Sequence, residues 1–527
     1  MVIVVMKGVA DGKGYQIVSN EFCSTSYFSY DLGDGINYFF AKDRCDILFI
    51  QRVPGGIFIG MAATTILGLV TGLIPMPSEI VAAAPSDWDL SDKLLFYIFG
   101  LELVIYAVSL FLFIRFIGFH QPVDDTAITL KFLEQLKAGE NWGYNYMYSN
   151  PQNLLLMYIF RGIQFFFGTN YYPIIAVFCG IHLITIIFLF LSLRNLKVSN
   201  FTTLITIQIM LFAVQITLHV PVAYTDILSL FFGSATFFFI TKYVNKKKQY
   251  VNRNIIYVLI ATATSTIGFI SKGTGLILIL AMILFFAFYH TGKWRLLAFL
   301  PLVFLVLGNF GWKQFIDAQK LYPNSHYGQP NTHYLMMGLN NTPIPDNLSG
   351  DDKYRWVVGA YSSADQRFTW DMFLDKKMPK KEVEEKHLSI IKERLNAMDF
   401  KQFLAAINNK VAVTWSSGDL KSSFEIFLGT GKNEKNMWVF RSKTSGLILY
   451  AVMMVIQYLV YLGIIFTSIK FFKNINPLVF LSNIYISGYF AFLLIWESSP
   501  RYAMGIFVPA IIMIGLLIEK EKTKRIS

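Results

Sequence analysis

Long apolar runs separated by short polar breaks dominate the chain. Runs with almost no charge occupy approximately residues 55–75, 94–117, 172–194, 200–219, 225–243, 254–271, 274–290, 295–310, 446–469, 477–496 and 503–518. Each is roughly 16–24 residues, the length with which a helix crosses ~30 Å of hydrocarbon. The pattern predicts an all-α polytopic membrane protein with about eleven transmembrane helices.

The polar breaks set the expected orientation. Short loops rich in Lys and Arg stay cytoplasmic. Such segments are Arg194/Lys197, Lys242 through Arg253, Lys293/Arg295, Lys470/Lys473 and Lys520/Lys522/Lys524/Arg525. With all of them on one side, the spans from 172 onward alternate without a break. The loops at 219–226, 271–274 and 497–502 then share the outer face with the segments 118–171 and 311–445. Counting 153–168 as a further span would put Lys246–Lys248 outside. That stretch is expected to lie in the membrane interface, with Arg161 at headgroup level.

Four regions follow. Residues 1–93 form an N-terminal segment with one span. Residues 94–310 form a transmembrane core that includes the outer loop and interfacial helices of 118–171. Residues 311–445 form an extracytoplasmic domain, and 446–527 the last transmembrane helices and a cytoplasmic tail. The first region fits least: Glu79, Asp87, Asp89 and Asp92 oppose a single Lys93 on the side expected to be basic, and Met1–Ala10 is too short for a signal peptide.

Composition agrees with this reading. Hydrophobic residues make up 54% and charged residues 15%, against about 25% charged in soluble domains. A soluble enzyme, a disordered chain and a coiled coil are excluded. The net charge of +12 would suit nucleic acid, but its cations sit in the short cytoplasmic segments, where anionic lipid explains them. Nucleic acid is therefore not an expected partner. Three cysteines, Cys23, Cys45 and Cys179, give neither a disulfide framework nor a metal spacing.

Candidate chemistry gathers in the outer segments. Val123-Asp124-Asp125-Thr126-Ala127 opens an amphipathic helix at the membrane surface. One Asp is expected to cap that helix. The second is surplus, and a carboxylate there can serve as general base on an acceptor hydroxyl. Tyr148-Ser149-Asn150-Pro151-Gln152-Asn153 reads as a turn and helix start. Asp226 begins the span after Val222-Ala223-Tyr224-Thr225, where capping is the plain explanation.

Two outer cations run against the charge bias. Lys272, in Ser271-Lys272-Gly273-Thr274-Gly275, either snorkels or holds an anion beside a helix start. Arg501, in Glu497-Ser498-Ser499-Pro500-Arg501-Tyr502, either pairs with Glu497 or binds phosphate through its guanidinium fork. In the long polar segment, His333 and Tyr361 stand among aromatics. No P-loop, Rossmann glycine pattern, zinc spacing or serine-triad signature is present.

The order of these features resembles the GT-C glycosyltransferases, polytopic enzymes that use polyprenyl-phosphate sugars. The residues that carry the resemblance are Asp124-Asp125, Asn150-Pro151-Gln152-Asn153, Ser271-Lys272-Gly273 and Pro500-Arg501-Tyr502. The chain is similar to the protein O-mannosyltransferase and aminoarabinose-transferase branch. Thr332-His333-Tyr334-Leu335-Met336-Met337-Gly338-Leu339 with Gly359-Ala360-Tyr361 also resembles a group of bacterial integral membrane proteins of that superfamily. The resemblance spans about residues 94–518 and does not cover the N-terminal region.

It implies a multi-pass cell-membrane enzyme whose active site faces away from the cytoplasm. Sugar would pass with inversion from a polyprenyl-phosphate donor to a glycan, lipid or protein acceptor. Asp125 would be the catalytic acid, with Asp124 the alternative and Asp226 the second outer acid. Lys272 and Arg501 would hold the donor phosphate, with Arg161 assisting, and His333 and Tyr361 would shape the acceptor side. Some members of that class use a divalent metal and some do not. Asp125, Asp226, Lys272 and Arg501 are thus expected to line one cavity. The competing readings are a flippase or transporter of lipid-linked sugar, a polymerase of lipid-linked glycans, and a structural membrane subunit.

Overall fold

The computed structural model describes residues 90–139, 143–245, 251–340, 359–431 and 444–526. The expected span at 55–75 and Lys246–Lys248 lie outside them. In chain order, the helices are α1 (Asp92–Ile117), α2 (Asp124–Lys137), α3 (Leu154–Phe167), α4 (Tyr171–Asn195), α5 (Asn200–Leu211) and α6 (Thr225–Asn245). Then come α7 (Val251–Ser271), α8 (Gly275–Tyr289), α9 (Phe299–Ala318), α10 (Thr332–Gly338), α11 (Ser363–Trp370) and α12 (Lys380–Asn396). The series ends with α13 (Phe400–Trp415), α14 (Ser422–Gly429), α15 (Thr444–Phe471), α16 (Pro477–Ile495) and α17 (Phe507–Ile526). Among the described residues there is no β-strand, only an isolated parallel bridge between Ala360 and Ser498.

Local chemistry sets the helix ends. Ser91 caps α1 through Leu94 N at 3.2 Å, and Gly118 closes it at φ 65°, a conformation that costs glycine little. Asn170 caps α4 and Asn476 caps α16, where Pro477 takes the first turn. Eight helical stretches are long and apolar enough to cross a membrane by length and composition. They match the expected runs at 94–117, 172–194, 225–243, 254–271, 295–310, 446–469, 477–496 and 503–518, so the chain is an all-α multi-pass membrane protein.

Two expected spans are shorter than a crossing helix. The run at 200–219 breaks after Leu211: α5 has 12 residues, and a separate turn of helix covers Val214–Thr217. The run at 274–290 becomes α8, of 15 residues. Stretch 153–168 forms α3, of 14 residues. That is about 21 Å at 1.5 Å per residue, too short to span.

Burial ranks the helices. The last span is the most enclosed, at 78%, while the α1 and α9 spans are 17% and 11% buried and sit at the perimeter. One apolar core runs through the bundle and includes Val411, Trp415, Leu420 and Ile426 from the long polar segment. A smaller cluster of Tyr148, Met372, Phe373, Leu374 and Val383 joins that segment to the first loop. The segment is therefore packed onto one end of the bundle.

The two sets of loops separate as charge placement predicts. At one end, Arg194 Nη2 meets Asp92 Oδ1 at 2.6 Å, Ser199 N donates to Glu519 Oε2 at 2.9 Å, and Lys470 pairs with Glu521. Asp92, an acid that looked misplaced beside Lys93, thus has its partner in Arg194. The segments 118–171, 219–226, 271–274 and 497–502 meet the polar segment at the other end.

Candidate functional site

The first acidic pair does not cap its helix. The N-cap of α2 is Val123, with no side-chain capping bond, which corrects the expectation that one Asp would serve there. Both carboxylates reach across the fold instead. Asp125 Oδ1 accepts from the Tyr146 hydroxyl at 2.5 Å, and its Oδ2 lies 3.6 Å from Arg501 Nη2. Asp124, held at φ 43°, turns to Lys421 Nζ at 3.5 Å.

The second acid and the two cations complete the cluster. Asp226, in the first turn of α6, is buried and pairs with Lys272 Nζ. Lys272 follows α7, and its nitrogen stands 5.1 Å from the Tyr502 ring centre. This side chain does not snorkel to the surface. Burial pulls the Lys272 ammonium below its ordinary pKa, and Asp226 opposes that pull. The Arg501 guanidinium stacks over Tyr224 at 5.1 Å and faces Asp226 as well as Asp125. Its close ion pair is with Asp125, which corrects the simple turn pair with Glu497. Arg501 Nε is buried without a hydrogen-bond partner.

The Asn-Pro motif forms the frame around Asp125. Asn153 Nδ2 donates to Tyr146 Oη at 2.9 Å, and Asn153 Oδ1 accepts from Tyr224 at 3.2 Å. Asn150 Oδ1 accepts from Tyr334 at 3.3 Å, and Tyr334 stacks on Trp496 at 5.0 Å. Burial drives the Tyr146 and Tyr224 hydroxyls well above the usual phenol range, with Asp125 adding to the shift. Both stay protonated and act as donors.

Arg501 is carried on a clamped segment. Ser498 N donates to Gly359 O at 2.6 Å. Lys410 is fully buried, and its ammonium donates to Gly338 O at 2.6 Å and Trp496 O at 2.5 Å. Gly359 sits at φ 70°, where a Cβ would come 2.7 Å from Lys410 Cγ, so the close approach requires glycine. Burial lowers the Lys410 pKa to about 7 and raises that of Glu497 to about 7.

The expected site residues divide into two groups. Asp125, Asp226, Lys272 and Arg501 come together from segments far apart in sequence. They pair with one another, Arg501 with Asp125 and Lys272 with Asp226. The nearby cavity, about 420 Å³, is lined by Gln121, Pro122, Val123, Asp124, Leu428 and Gly431. Arg161 stays outside the network: it is exposed on α3 beside Tyr158. His333 is fully buried, bonded to Thr369 Oγ1 at 2.7 Å and Gln366 Oε1 at 3.2 Å, with its pKa pushed down to about 3 by burial. It organises the interior of the polar segment. Tyr361 is half-buried next to the Ala360–Ser498 bridge. Among the described residues no three His, Cys, Asp or Glu gather into a metal-holding group.

The contacts of Tyr146, Asn153, Tyr224, Glu497, Lys410 and Lys421 emerge only from the structure. Tyr224 and Asn153 belong to motifs that the sequence singles out. Lys410 and Lys421 carry no pattern that separates them from surface lysines.

No family model matches the chain, and no solved structure matches it. The chain is similar to a short part of the guanine/hypoxanthine permease PbuG of Bacillus subtilis (strain 168), 45% identical over 40 residues. Those residues are 8% of this chain and 9% of the permease, so the chain spans under a tenth of that relative's length. A match of that size carries neither a fold nor an activity.

Proposed function

We propose that the chain is a GT-C-like glycosyltransferase that moves a sugar from a polyprenyl-phosphate donor to an acceptor outside the cytoplasm of the cell. One observation carries the reading. Two acids and two cations, from four segments spanning residues 125–501, meet at one end of a membrane bundle, with Arg501 3.6 Å from Asp125 and Lys272 on Asp226. A structural subunit gains little from this, because buried ion pairs often contribute no net stability. A lipid-linked donor presents its phosphate at such a bundle end, and the positive-inside rule assigns this end to the outer face.

The chemistry follows from the geometry. The Asp125 carboxylate takes the proton of an acceptor hydroxyl, whose oxygen attacks the anomeric carbon from the face opposite the phosphate. The bond from that carbon to the phosphate oxygen breaks, and its electron pair leaves with polyprenyl phosphate. Arg501 and Lys272 stabilise the charge growing on that phosphate. Arg501 has an unpartnered buried Nε, a donor for a phosphate oxygen. Tyr146 and Asn153 fix the Asp125 carboxylate. Each acid already faces a cation, a poor setting for a divalent metal.

A transporter of lipid-linked sugar is the second reading. It draws on a polar group within the bundle, where Tyr106 Oη lies 3.0 Å from His182 Nε2 and 2.7 Å from Thr217 Oγ1. The test is transfer of radiolabelled sugar from polyprenyl-phosphate donors in membranes carrying wild type or Asp125→Asn. The proposal expects transfer that the variant abolishes at normal protein levels. Lipid-linked sugar crossing vesicles without any transfer would favour transport instead.

A further inference from the structure

The cavity beside Asp124 has no role in the donor chemistry, yet it is built with care. Its walls come from two separate elements: Gln121, Pro122, Val123 and Asp124 lead into α2, and Leu428 and Gly431 end α14. Main-chain bonds lock the elements together, with His120 N and Gln121 N both donating to Gly429 O, at 3.1 and 3.4 Å. Gln121 Nε2 adds a bond to Leu428 O at 2.8 Å.

Lys421 joins the two elements by charge. Its ammonium lies 3.5 Å from Asp124 and 3.1 Å from Glu425, whose side chain is 1% exposed. Three residues of this junction hold left-handed backbone: Asp124 at φ 43°, Leu420 at φ 51° and Lys421 at φ 70°. Each such residue holds strained backbone. Strain of this kind persists where the surroundings over-determine it, and it concentrates at ligand sites.

We propose that this cavity is a subsite for the acceptor, and that the acceptor presents a polyhydroxylated, sugar-like unit there. The inference rests on the glycosyltransferase reading above. The volume falls within the range of about 300–1,000 Å³ of small-molecule sites. Pro122, Val123 and Leu428 offer apolar surface to the C–H face of a sugar ring. The Asp124 carboxylate and the Gln121 side-chain amide, both lining the cavity, offer polar partners to its hydroxyls. Asp124 directly precedes Asp125, so the cavity adjoins the segment that carries the proposed base. Lys272 and Arg501 take no part in lining it, which leaves the donor phosphate a place of its own. Asp124 is thus an acceptor-binding residue rather than a second catalytic acid.

The experiment uses full-length protein in membranes, with two readouts. Transfer is measured from a radiolabelled polyprenyl-phosphate sugar to endogenous acceptors. Donor binding is measured by photolabelling with a benzophenone-bearing polyprenyl-phosphate sugar. The variants are Leu428→Trp, which fills the cavity, and Asp124→Asn, which removes the charge but tolerates left-handed backbone. The proposal expects the ratio of transfer to donor labelling to fall about tenfold or more in both. A ratio equal to wild type in Asp124→Asn overturns the subsite, as does a parallel loss of labelling and transfer. Wild type that neither transfers nor photolabels sinks the glycosyltransferase reading itself, a distinct outcome.

Discussion

Replacing Glu497 by Gln should change the protein's pH dependence in a defined direction. Burial raises the Glu497 carboxyl from its ordinary 4.5 to about 7, Asp125 adds to the rise, and Arg501, Lys421 and Lys410 oppose it. The folded protein therefore holds a proton that the unfolded chain has released between those values. Stability falls as pH rises through that window and stays lower above it. At about 1.4 kcal/mol per pH unit, ionising this carboxyl in the folded state costs about 3 kcal/mol by pH 7. Gln keeps the shape and removes the charge, so Glu497→Gln should match wild type near pH 5 and melt a few degrees higher at pH 7. Lys410 acts in the opposite sense at higher pH. Its folded pKa of about 7 lies below its ordinary 10.5, so stability returns as pH rises from about 7. The comparison is therefore cleanest between pH 5 and 7. The assay is thermal unfolding of purified protein in lipid nanodiscs at half-unit pH steps. A melting difference between variant and wild type that is the same at pH 5 and pH 7 would refute the reasoning.

Three further outcomes follow from the same geometry. Lys410→Met strips the donor from Gly338 O and Trp496 O, and at about 1–3 kcal/mol for each unmet buried group it should lower the melting temperature and weaken transfer together. A melt unchanged from wild type would show that the staple is dispensable. Gly338→Ala drives a Cβ into the Ile495 carbonyl and to 2.7 Å from Trp496 C. It should destabilise by about 1–3 kcal/mol, and wild-type unfolding of that variant contradicts the packing. Arg501→Lys keeps the charge but loses the fork that faces Asp125 and Asp226. Transfer should drop about 10²-fold or more with the protein still folded, measured as initial rates against wild type.

Much of the fold was legible because hydropathy reports what lipid demands. Eight apolar runs became helices long enough to cross, and the basic segments at Arg194, Lys470 and Lys520 find their partners at one end of the bundle. Hydropathy does not report hydrogen bonding, so the break at Phe212–Ala213 inside an apolar run was invisible. Likewise the length of 153–168 alone could not exclude a span. Only charge bookkeeping did, and the 14-residue α3 agrees.

The site was half legible. Lys272 and Arg501 stood out because cations on outer loops run against the charge bias, Asp125 because it was surplus to a cap, and Asp226 chiefly through the resemblance. Their pairing was not readable, since which acid meets which cation depends on packing among four distant segments. Tyr146 and Tyr224 look in sequence like aromatics at a membrane surface, and only the fold turns their hydroxyls toward Asp125 and Asn153. Lys410 looks like a surface lysine of an amphipathic helix. It is instead buried because α13 packs on the segment between α16 and α17, where Trp496 O needs a donor.

The central claim is that Arg501 and Lys272 receive the phosphate of a lipid-linked donor beside Asp125. A cryo-electron microscopy map of the full-length protein in nanodiscs with a polyprenyl-phosphate sugar tests it most directly. The account predicts phosphate density within hydrogen-bonding reach of Arg501 and Lys272, with the sugar turned toward Asp125. Phosphate density bound elsewhere, with the Arg501–Asp125 and Lys272–Asp226 pairs intact, would contradict it.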